Sequence, residues 1–438
     1  MSRVGFMRKE SRHAAIALVL LLPALPGSPA VSAQVAFDQA MRDLASSDTG
    51  TRLRTVQMLK DAAFAEAAVP LAALVTDPDD RVQLEAIAAE LNIFLAEKIV
   101  TRKRVGLVIE KRNAIVAESA FSSGRLAIGS RAVPVEVVTA LRTAARDENP
   151  RVAAESLYAL GALATEVDGR SRGDLLHAVG PELAAYTGAA DPTVRYAAIR
   201  VIGRVFARRP HDDAIDESLG DAVITALNDS DRGMKTAAMQ TLGAIGYGRG
   251  VQALTELFQY YARHDLGAAA LDALARIAYQ SSEPLFVEQL AGRNAPMRGI
   301  AIEGLARLGN RARAAEIDTV ARGDRNDGVT LAAAFGAVML ADAPIDAIAS
   351  ALMKAKLRDQ ALGYVAELAW RRPSALSPCL RDPDARIRTD AVDALGLAGD
   401  PAAVSMVEPL LKDNDPQVSR AAERAMARLR AAAGRPVS

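Results

Sequence analysis

The sequence predicts an all-α protein, an α-solenoid in which stacked αα-hairpins form a right-handed superhelix. The first observation is a sequence motif that recurs along the chain, as in residues 191–203 and 382–396. It consists of a polar start, an apolar residue, an alanine-rich stretch and a closing leucine- or isoleucine-glycine pair. Recurrence at a fixed period is typical of a stacked array. The second is composition, because 50% of the residues are hydrophobic but only 4% are aromatic. This balance suits helices lined by alanine and leucine better than a sheet.

The period follows from the first apolar residue of each unit. These residues are Leu53, Val82, Val152, Val194, Met234, Leu266, Met297, Val329, Leu357, Ile387 and Val418. Downstream of Met234 the spacing is about 31 residues, enough for two short helices and their turns. The 70-residue interval from Val82 to Val152 hides one more unit. We therefore predict about twelve units between residues 34 and 430.

Each part of this motif has a physical role. Asp191 can accept from the free amides of the first helical turn, and Pro192 is tolerated there because that turn donates no internal hydrogen bond. The apolar residues that follow have a 3.6-residue period and form one stripe. The glycines near the end of the motif are predicted to stop or loosen the helix before its turn. They are Gly161, Gly203, Gly243, Gly309 and Gly396.

With these motifs the chain resembles a HEAT-repeat protein of the short bacterial type called PBS-lyase HEAT-like, over residues 48–430. The resemblance implies a ladder in which the starting Asp and a helix Arg pair from unit to unit. Asp191 with Arg195, and Asp382 with Arg388, fit this pattern best. Other units depart from it: Lys235 replaces the arginine, and the same slot is uncharged at Ala153, Gly267, Thr330 and Ser419. We therefore expect the stack to rest mainly on apolar packing.

The amino terminus predicts export. Four basic residues (Arg3, Arg8, Lys9 and Arg12) precede an apolar run over residues 14–22, and small residues at 31–33 suit a signal peptidase. The alternative is a retained membrane anchor, but about nine apolar residues are too few to span a bilayer. We predict a Sec-type signal over residues 1–33 that is cleaved after Ala33, a mature chain without a transmembrane segment, and a periplasmic or secreted location.

Composition and motifs predict no chemistry. Without residues 1–33 the chain carries 49 Lys and Arg against 52 Asp and Glu, and this balance argues against nucleic-acid binding. The histidines have no metal-ligand spacing, and no phosphate loop or nucleophile motif is present. The single cysteine, Cys379, is interpreted as a small buried hydrophobe in preference to a reactive thiol. We predict no catalytic residue, no cofactor and no metal, and therefore a protein that is not an enzyme.

Three insertions break the regular period, at residues 122–133, 165–173 and 207–219. Insertions at one point of neighbouring units emerge on one edge of a solenoid. We expect a composite partner-binding surface there, and its candidate residues are Arg125, Arg131, Arg170, Arg172, Arg208 and Arg209. The alternative is that these polar loops are merely solvated.

A basic segment over residues 98–112 is the second irregularity. Its candidate binding residues are Arg102, Lys103 and Arg104. An anionic surface, such as lipid headgroups or an acidic protein, would make a weak contact with this turn. The alternative is a structural role, with salt bridges to neighbouring acidic residues.

Two classes of function remain. The first is an exported, non-enzymatic interaction scaffold that holds a protein or peptide partner. The second is implied by the resemblance alone, since some HEAT-like relatives are chromophore lyases or maturation factors that bind a small ligand or chromophore. In either case residues 431–438 are expected to form a flexible tail, with 418–429 shielding the last apolar stripe.

Overall fold

The structure is a computed structural model that describes residues 29–95, 116–122, 133–164, 179–207, 215–261 and 265–433. Throughout these ranges the chain forms helices and turns, and no β-strand is found within them. The predicted all-α class is therefore confirmed. The handedness of the superhelix stays a prediction.

The helices follow one another with short turns between them. They are α1 (Pro29–Leu44), α2 (Thr49–Ala62), α3 (Ala68–Ala72), α4 (Asp80–Phe94), α5 (Val116–Ser122), α6 (Val135–Ala144), α7 (Pro150–Ala164), α8 (179–186), α9 (Pro192–Val205), α10 (Glu217–Ala226), α11 (Arg232–Ile245), α12 (Val251–Tyr261), α13 (Asp265–Ile277), α14 (Glu283–Leu290), α15 (Ala295–Leu308), α16 (Ala314–Gly323), α17 (Asp327–Ala341), α18 (Asp346–Ala351), α19 (Arg358–Arg371), α20 (Ala385–Ala398), α21 (Val404–Val407) and α22 (Pro416–Ala433).

The chain forms two compact units, residues 1–93 and 94–438. In the first unit, α1 packs on α2 and α3. In the second unit, α5, α7, α9, α11, α13, α15 and α17 pack each on the next, and α19, α20 and α22 continue the series. We call this series the central row. Most of the intervening helices, such as α10, α12 and α14, pack on a row helix as a second layer. This two-layered stack of helix pairs is the predicted solenoid.

The repeat positions lie where the stripe requires them. Of the eleven apolar residues that mark the units, all but Leu53 and Leu357 are buried. Capping follows the expected chemistry, because Asp191 accepts from the backbone N–H of Thr193 at 2.7 Å and Asp231 from that of Met234 at 2.8 Å. Within the long interval before Val152, α5 packs on α7.

The predicted role of the glycines is wrong for four of the five. Only Gly309 ends a helix, with a φ of 76°. Gly161, Gly203, Gly243 and Gly396 lie inside helices, facing neighbouring helices of the row. A Cβ on Gly396 would lie 2.7 Å from the Cα of Ala425 in α22. These glycines therefore allow neighbouring helices to approach closely.

The predicted ladder from unit to unit is present at several units, but the aspartate that takes part is not the one that caps the arginine's own helix. Arg195 pairs with Asp229, at 3.1 Å between Nη2 and Oδ2, and Arg388 pairs with Asp413, at 2.8 Å between Nη2 and Oδ1. Each arginine thus reaches the first Asp of the following turn, while the Asp immediately before its own helix serves as the cap. The same link recurs as Arg52–Asp77 and Arg298–Asp324. These links do not recur in every unit, whereas buried apolar residues are present in all of the row helices.

Candidate functional site

A cavity of about 440 Å³ lies on one face of the central row in the second unit. Helices α11, α13, α15, α19 and α20 contribute to it, together with Ala207 after α9. The lining residues are Ala207, Gly243, Ala244, Arg276, Arg307, Gly363, Ala366, Glu367, Trp370, Arg371, Ala394, Leu397 and Ala398. Its volume is within the range of sites that hold small ligands or a few side chains.

Small residues leave this space open. Most of the lining positions are glycine or alanine, so the helix surfaces carry little side-chain volume there. Gly363 is the clearest case, because a Cβ built on it would meet no atom within 4 Å. The lining is therefore largely apolar with short side chains; we call its glycines and alanines the floor, and its larger, partly or fully exposed residues Arg276, Trp370 and Arg371 the rim.

Arg276 of α13 presents its guanidinium at the cavity. Its Nε donates to Oδ2 of Asp272, one helical turn earlier, at 2.7 Å, and its side chain is 51% exposed. Among the residues that the structure describes, no acceptor takes the two terminal nitrogens, Nη1 and Nη2. The outer edge of this guanidinium is thus open to a ligand.

Arg307 of α15 is held beneath the surface. Its side chain is only 4% exposed; Nη2 donates to Glu367 at 2.9 Å, and Nη1 lies 3.2 Å from Glu303. Nη1 makes no hydrogen bond of good geometry to any described residue. Burial by itself would raise the pKa of Glu367, but the charge and hydrogen bonds of Arg307 lower that pKa below its ordinary value. Glu367 is therefore a carboxylate already occupied by arginine.

An aromatic and polar cluster supports these charges where α19 follows α17. The ring of Tyr364 stacks on Phe335 with centroids 4.5 Å apart, and the Tyr364 hydroxyl donates to Glu303. Burial raises the pKa of Glu303 and of Tyr364. Packing between α17 and α19 is less extensive than between α15 and α17. Contacts from α15 to α19, past α17, therefore help to join the row at this point.

Trp370 forms part of the rim. It is the only tryptophan of the chain and is partly exposed. The guanidinium of Arg371 lies 4.2 Å from the centroid of its ring, and Nε of Arg371 lies 2.8 Å from Oε1 of Glu367. A partly exposed indole beside arginine offers an apolar surface next to positive charge.

The predicted binding residues lie outside the part of the chain that the structure describes. They are Arg102, Lys103, Arg104, Arg125, Arg131, Arg170, Arg172, Arg208 and Arg209. The cavity was not predicted from the sequence, although the positions of its charged residues within the repeat indicate it. Arg276, Arg307 and Glu367 each stand ten residues after the apolar residue that marks their unit, at Leu266, Met297 and Leu357. Charged residues at one register position of nearby units belong on one face of the stack.

Within the ranges given above, no group of three or more His, Cys, Asp or Glu is arranged to hold a metal ion. Cys379 is buried, and burial raises the pKa of its thiol to about 11, so it is a poor nucleophile. The described helices include none that is long and apolar enough to cross a membrane. The cavity instead offers guanidinium donors beside an apolar floor.

The sequence profile of the family described as HEAT repeats matches residues 180–265 and 346–436. The chain contains HEAT repeats in these two regions. Both matched regions contribute to the cavity, as do α13 and α15 between them. No curated protein sequence matches it.

The chain is also similar to solved repeat structures. An engineered protein is 19% identical, with 90% of this chain and 98% of that one covered and a TM-score of 0.43. The complex of CpcE and CpcF of phycocyanin lyase from Nostoc sp. PCC7120 is 18% identical, with 57% and 94% covered and a TM-score of 0.39. A designed armadillo repeat protein is 16% identical, with 62% and 98% covered and a TM-score of 0.36.

Proposed function

We propose that this HEAT-repeat protein is an exported, non-enzymatic scaffold that holds a protein or peptide partner in the cavity of its second unit. One observation carries the proposal. The cavity combines an apolar floor of small residues with Trp370 and the open guanidinium edge of Arg276 at its rim. Interfaces are enriched in tryptophan and arginine, which fill and edge pockets of this kind.

Export is the second part of the proposal and rests on the sequence alone. The basic residues and the apolar run before Ala33 support a cleaved signal. The basic residues of the three insertions and of residues 102–104 remain a predicted second contact surface. A partner large enough to reach them would be held at more than one point.

The test uses two glycine positions whose Cβ atoms would both meet open space. Gly363 lies in the cavity, whereas Gly323 ends α16 in the second layer. Gly363→Phe should fill the cavity and Gly323→Phe should not. The tagged chain with its native amino terminus is cross-linked in cells, and captured proteins are identified by mass spectrometry. We expect a specific protein that is captured by the wild type and by Gly323→Phe but is lost with Gly363→Phe.

Equal capture by the two variants would contradict the proposed site, and capture of no specific protein would contradict the scaffold function. The same preparation tests export. A mature chain that begins after Ala33 and is found outside the cytoplasm is the expected result. A chain that retains residues 1–33 in the cytoplasm would contradict this part of the proposal.

A further inference from the structure

We infer that the cavity recognises an acidic peptide segment, in which a carboxylate binds Nη1 and Nη2 of Arg276 and a neighbouring apolar side chain lies against Trp370 and the alanine floor. This inference rests on the proposed function, since it names the chemistry of the partner at the same site. The charges, the partners and the shape of the cavity each support it.

The charged residues of the cavity favour an anionic ligand. Of the four charged residues that line the cavity, three are arginines and one is Glu367. Glu367 is within 3 Å of the guanidiniums of both Arg307 and Arg371, so its carboxylate is not available to a cationic ligand. Asp272 and Glu303 are likewise engaged with Arg276 and Arg307. The groups that remain for a ligand are therefore donors.

Arg276 has the geometry of a carboxylate receptor. Asp272 bonds only to its Nε, which leaves the two parallel N–H groups of Nη1 and Nη2 along one edge of the planar guanidinium. That edge matches the two oxygens of a carboxylate, and such bidentate pairs add orientation as well as attraction. Asp272 also restrains the side chain, so less rotamer freedom is lost when the ligand binds.

The apolar floor favours a ligand that carries an apolar group beside its negative charge. Gly243, Ala244, Ala394 and Ala398 carry no polar side chain, and Leu397 and Trp370 extend the same surface. A small inorganic anion would leave this surface in water. A peptide that carries an acidic residue next to a leucine or a similar side chain would bury it and also pair Arg276.

The experiment measures peptide binding to the full chain by fluorescence anisotropy. The probe is a labelled, capped peptide Ala-Leu-Glu-Asp-Leu-Ala, and the comparison peptide carries Gln and Asn in place of Glu and Asp. Arg322 provides the matched control, because it also pairs with an aspartate one turn earlier, Asp318, but it lies on α16 away from the cavity. Circular dichroism checks that each variant is folded.

We expect the acidic peptide to bind at least tenfold more tightly than the amide peptide. Arg276→Ala should remove this preference, Arg276→Lys should weaken it severalfold because a lysine cannot bind both oxygens side by side, and Arg322→Ala should leave it unchanged. Equal loss with Arg276→Ala and Arg322→Ala, or no preference for the acidic peptide, would overturn the inference. Displacement by millimolar inorganic phosphate as effective as by excess unlabelled acidic peptide would overturn it too, because an anion alone would then suffice.

The two proposals fail separately. If Gly363→Phe abolishes partner capture in cells and Arg276→Ala does not, the cavity holds a partner but not through an acidic group. If neither variant changes capture, the cavity is not the binding site, and the proposed function fails together with the inference.

Discussion

At the residue scale, Glu90 is the clearest departure from the repeat pattern. The position eight residues after the marker of a unit is a buried apolar residue in most units: Leu160, Ile202, Leu242, Leu274, Leu305, Val365, Leu395 and Met426. At this register α4 places Glu90, which is 0% exposed. Neither carboxyl oxygen has a hydrogen-bond partner among the described residues. Burial raises its pKa from 4.5 to about 9, so Glu90 is neutral at pH 7.

Replacing this side chain should stabilise the first unit. We expect Glu90→Leu to raise the local free energy of unfolding by about 1–3 kcal/mol at pH 7, because it removes a buried carboxyl group that has no partner among the described residues. Hydrogen exchange of the α2 and α4 amides, followed by mass spectrometry, measures the change. A lower protection in Glu90→Leu than in the wild type would contradict the expectation.

Glu90 should also make stability depend on pH. Its folded pKa is raised above the unfolded value, so its contribution is full below about pH 4.5 and is lost as the pH rises through about 9. The wild type should therefore lose protection of α4 between pH 5 and pH 9, after correction for intrinsic exchange. Glu90→Gln, which cannot ionise, should lose less. The same loss in both proteins would show that Glu90 is not responsible.

Arg307 supplies the main positive charge that compensates the buried carboxylates beside the cavity. Arg307→Ala leaves Glu303 and Glu367 buried without their main counter-charge, and we expect a destabilisation of about 3–5 kcal/mol. Arg311→Ala removes a surface pair with Asp342, whose side chains are 68% and 55% exposed, and should have little effect. Urea unfolding followed through the fluorescence of Trp370 reports on both. Similar midpoints for the two variants would be the contrary result.

At the scale of the helix, glycines serve two opposite purposes. Gly396 lies where α20 contacts α22, and its missing side chain sets the distance between them. Gly363 faces the cavity, and its missing side chain leaves space unfilled. Both are helix-interior positions, so local propensity disfavours glycine equally at each. Only the neighbouring helix distinguishes them.

The same substitution should therefore have opposite effects at these two positions. Gly363→Ala should stabilise the protein by about 1 kcal/mol, since alanine loses less backbone entropy and meets no atom. Gly396→Ala should destabilise it by about 1–3 kcal/mol, because α20 and α22 must separate. Thermal unfolding followed by circular dichroism at 222 nm provides the comparison. Shifts of the same sign in both variants would refute this account.

At the scale of the whole molecule, stability is distributed along a stack in which most contacts join neighbours. One exception in the second unit is at the cavity, where Arg307 and Glu303 of α15 reach Glu367 and Tyr364 of α19. These residues are 60 and 61 positions apart, about two units. Residues of several units thus form the cavity. It stays intact only while the stack is closed at this point, that is, while α15 remains in contact with α19.

Cys379 offers a reporter of that closure. The thiol is buried in the turn Cys379–Arg381 before α20, and burial raises its pKa from 9 to about 11. At pH 8 the folded protein should react with a thiol reagent more than about 100-fold more slowly than the urea-unfolded chain, because both access and the thiolate fraction fall. Reaction rates followed by absorbance check this. A rate close to that of a free thiol would show that this turn opens readily.

The sequence by itself determined the helices, their caps and their stacking. These depend on local periodicity: Asp191 caps because its side chain reaches the next turn, and Val194 is buried because its stripe meets the neighbouring unit. The nine basic residues predicted from the insertions and from residues 102–104 remain predictions. Tertiary structure alone decided which arginine pairs with which aspartate, and which glycines face a helix or a cavity.

The cavity shows the reason most directly. Periodicity places Arg276 and Arg307 on one face of the stack, but it does not determine that Glu367 lies beside Arg307. That contact depends on the distances between helices, which are set by how side-chain volumes from three units fit together. Volume complementarity of this kind is a property of the packed helices in three dimensions, and a one-dimensional pattern does not contain it.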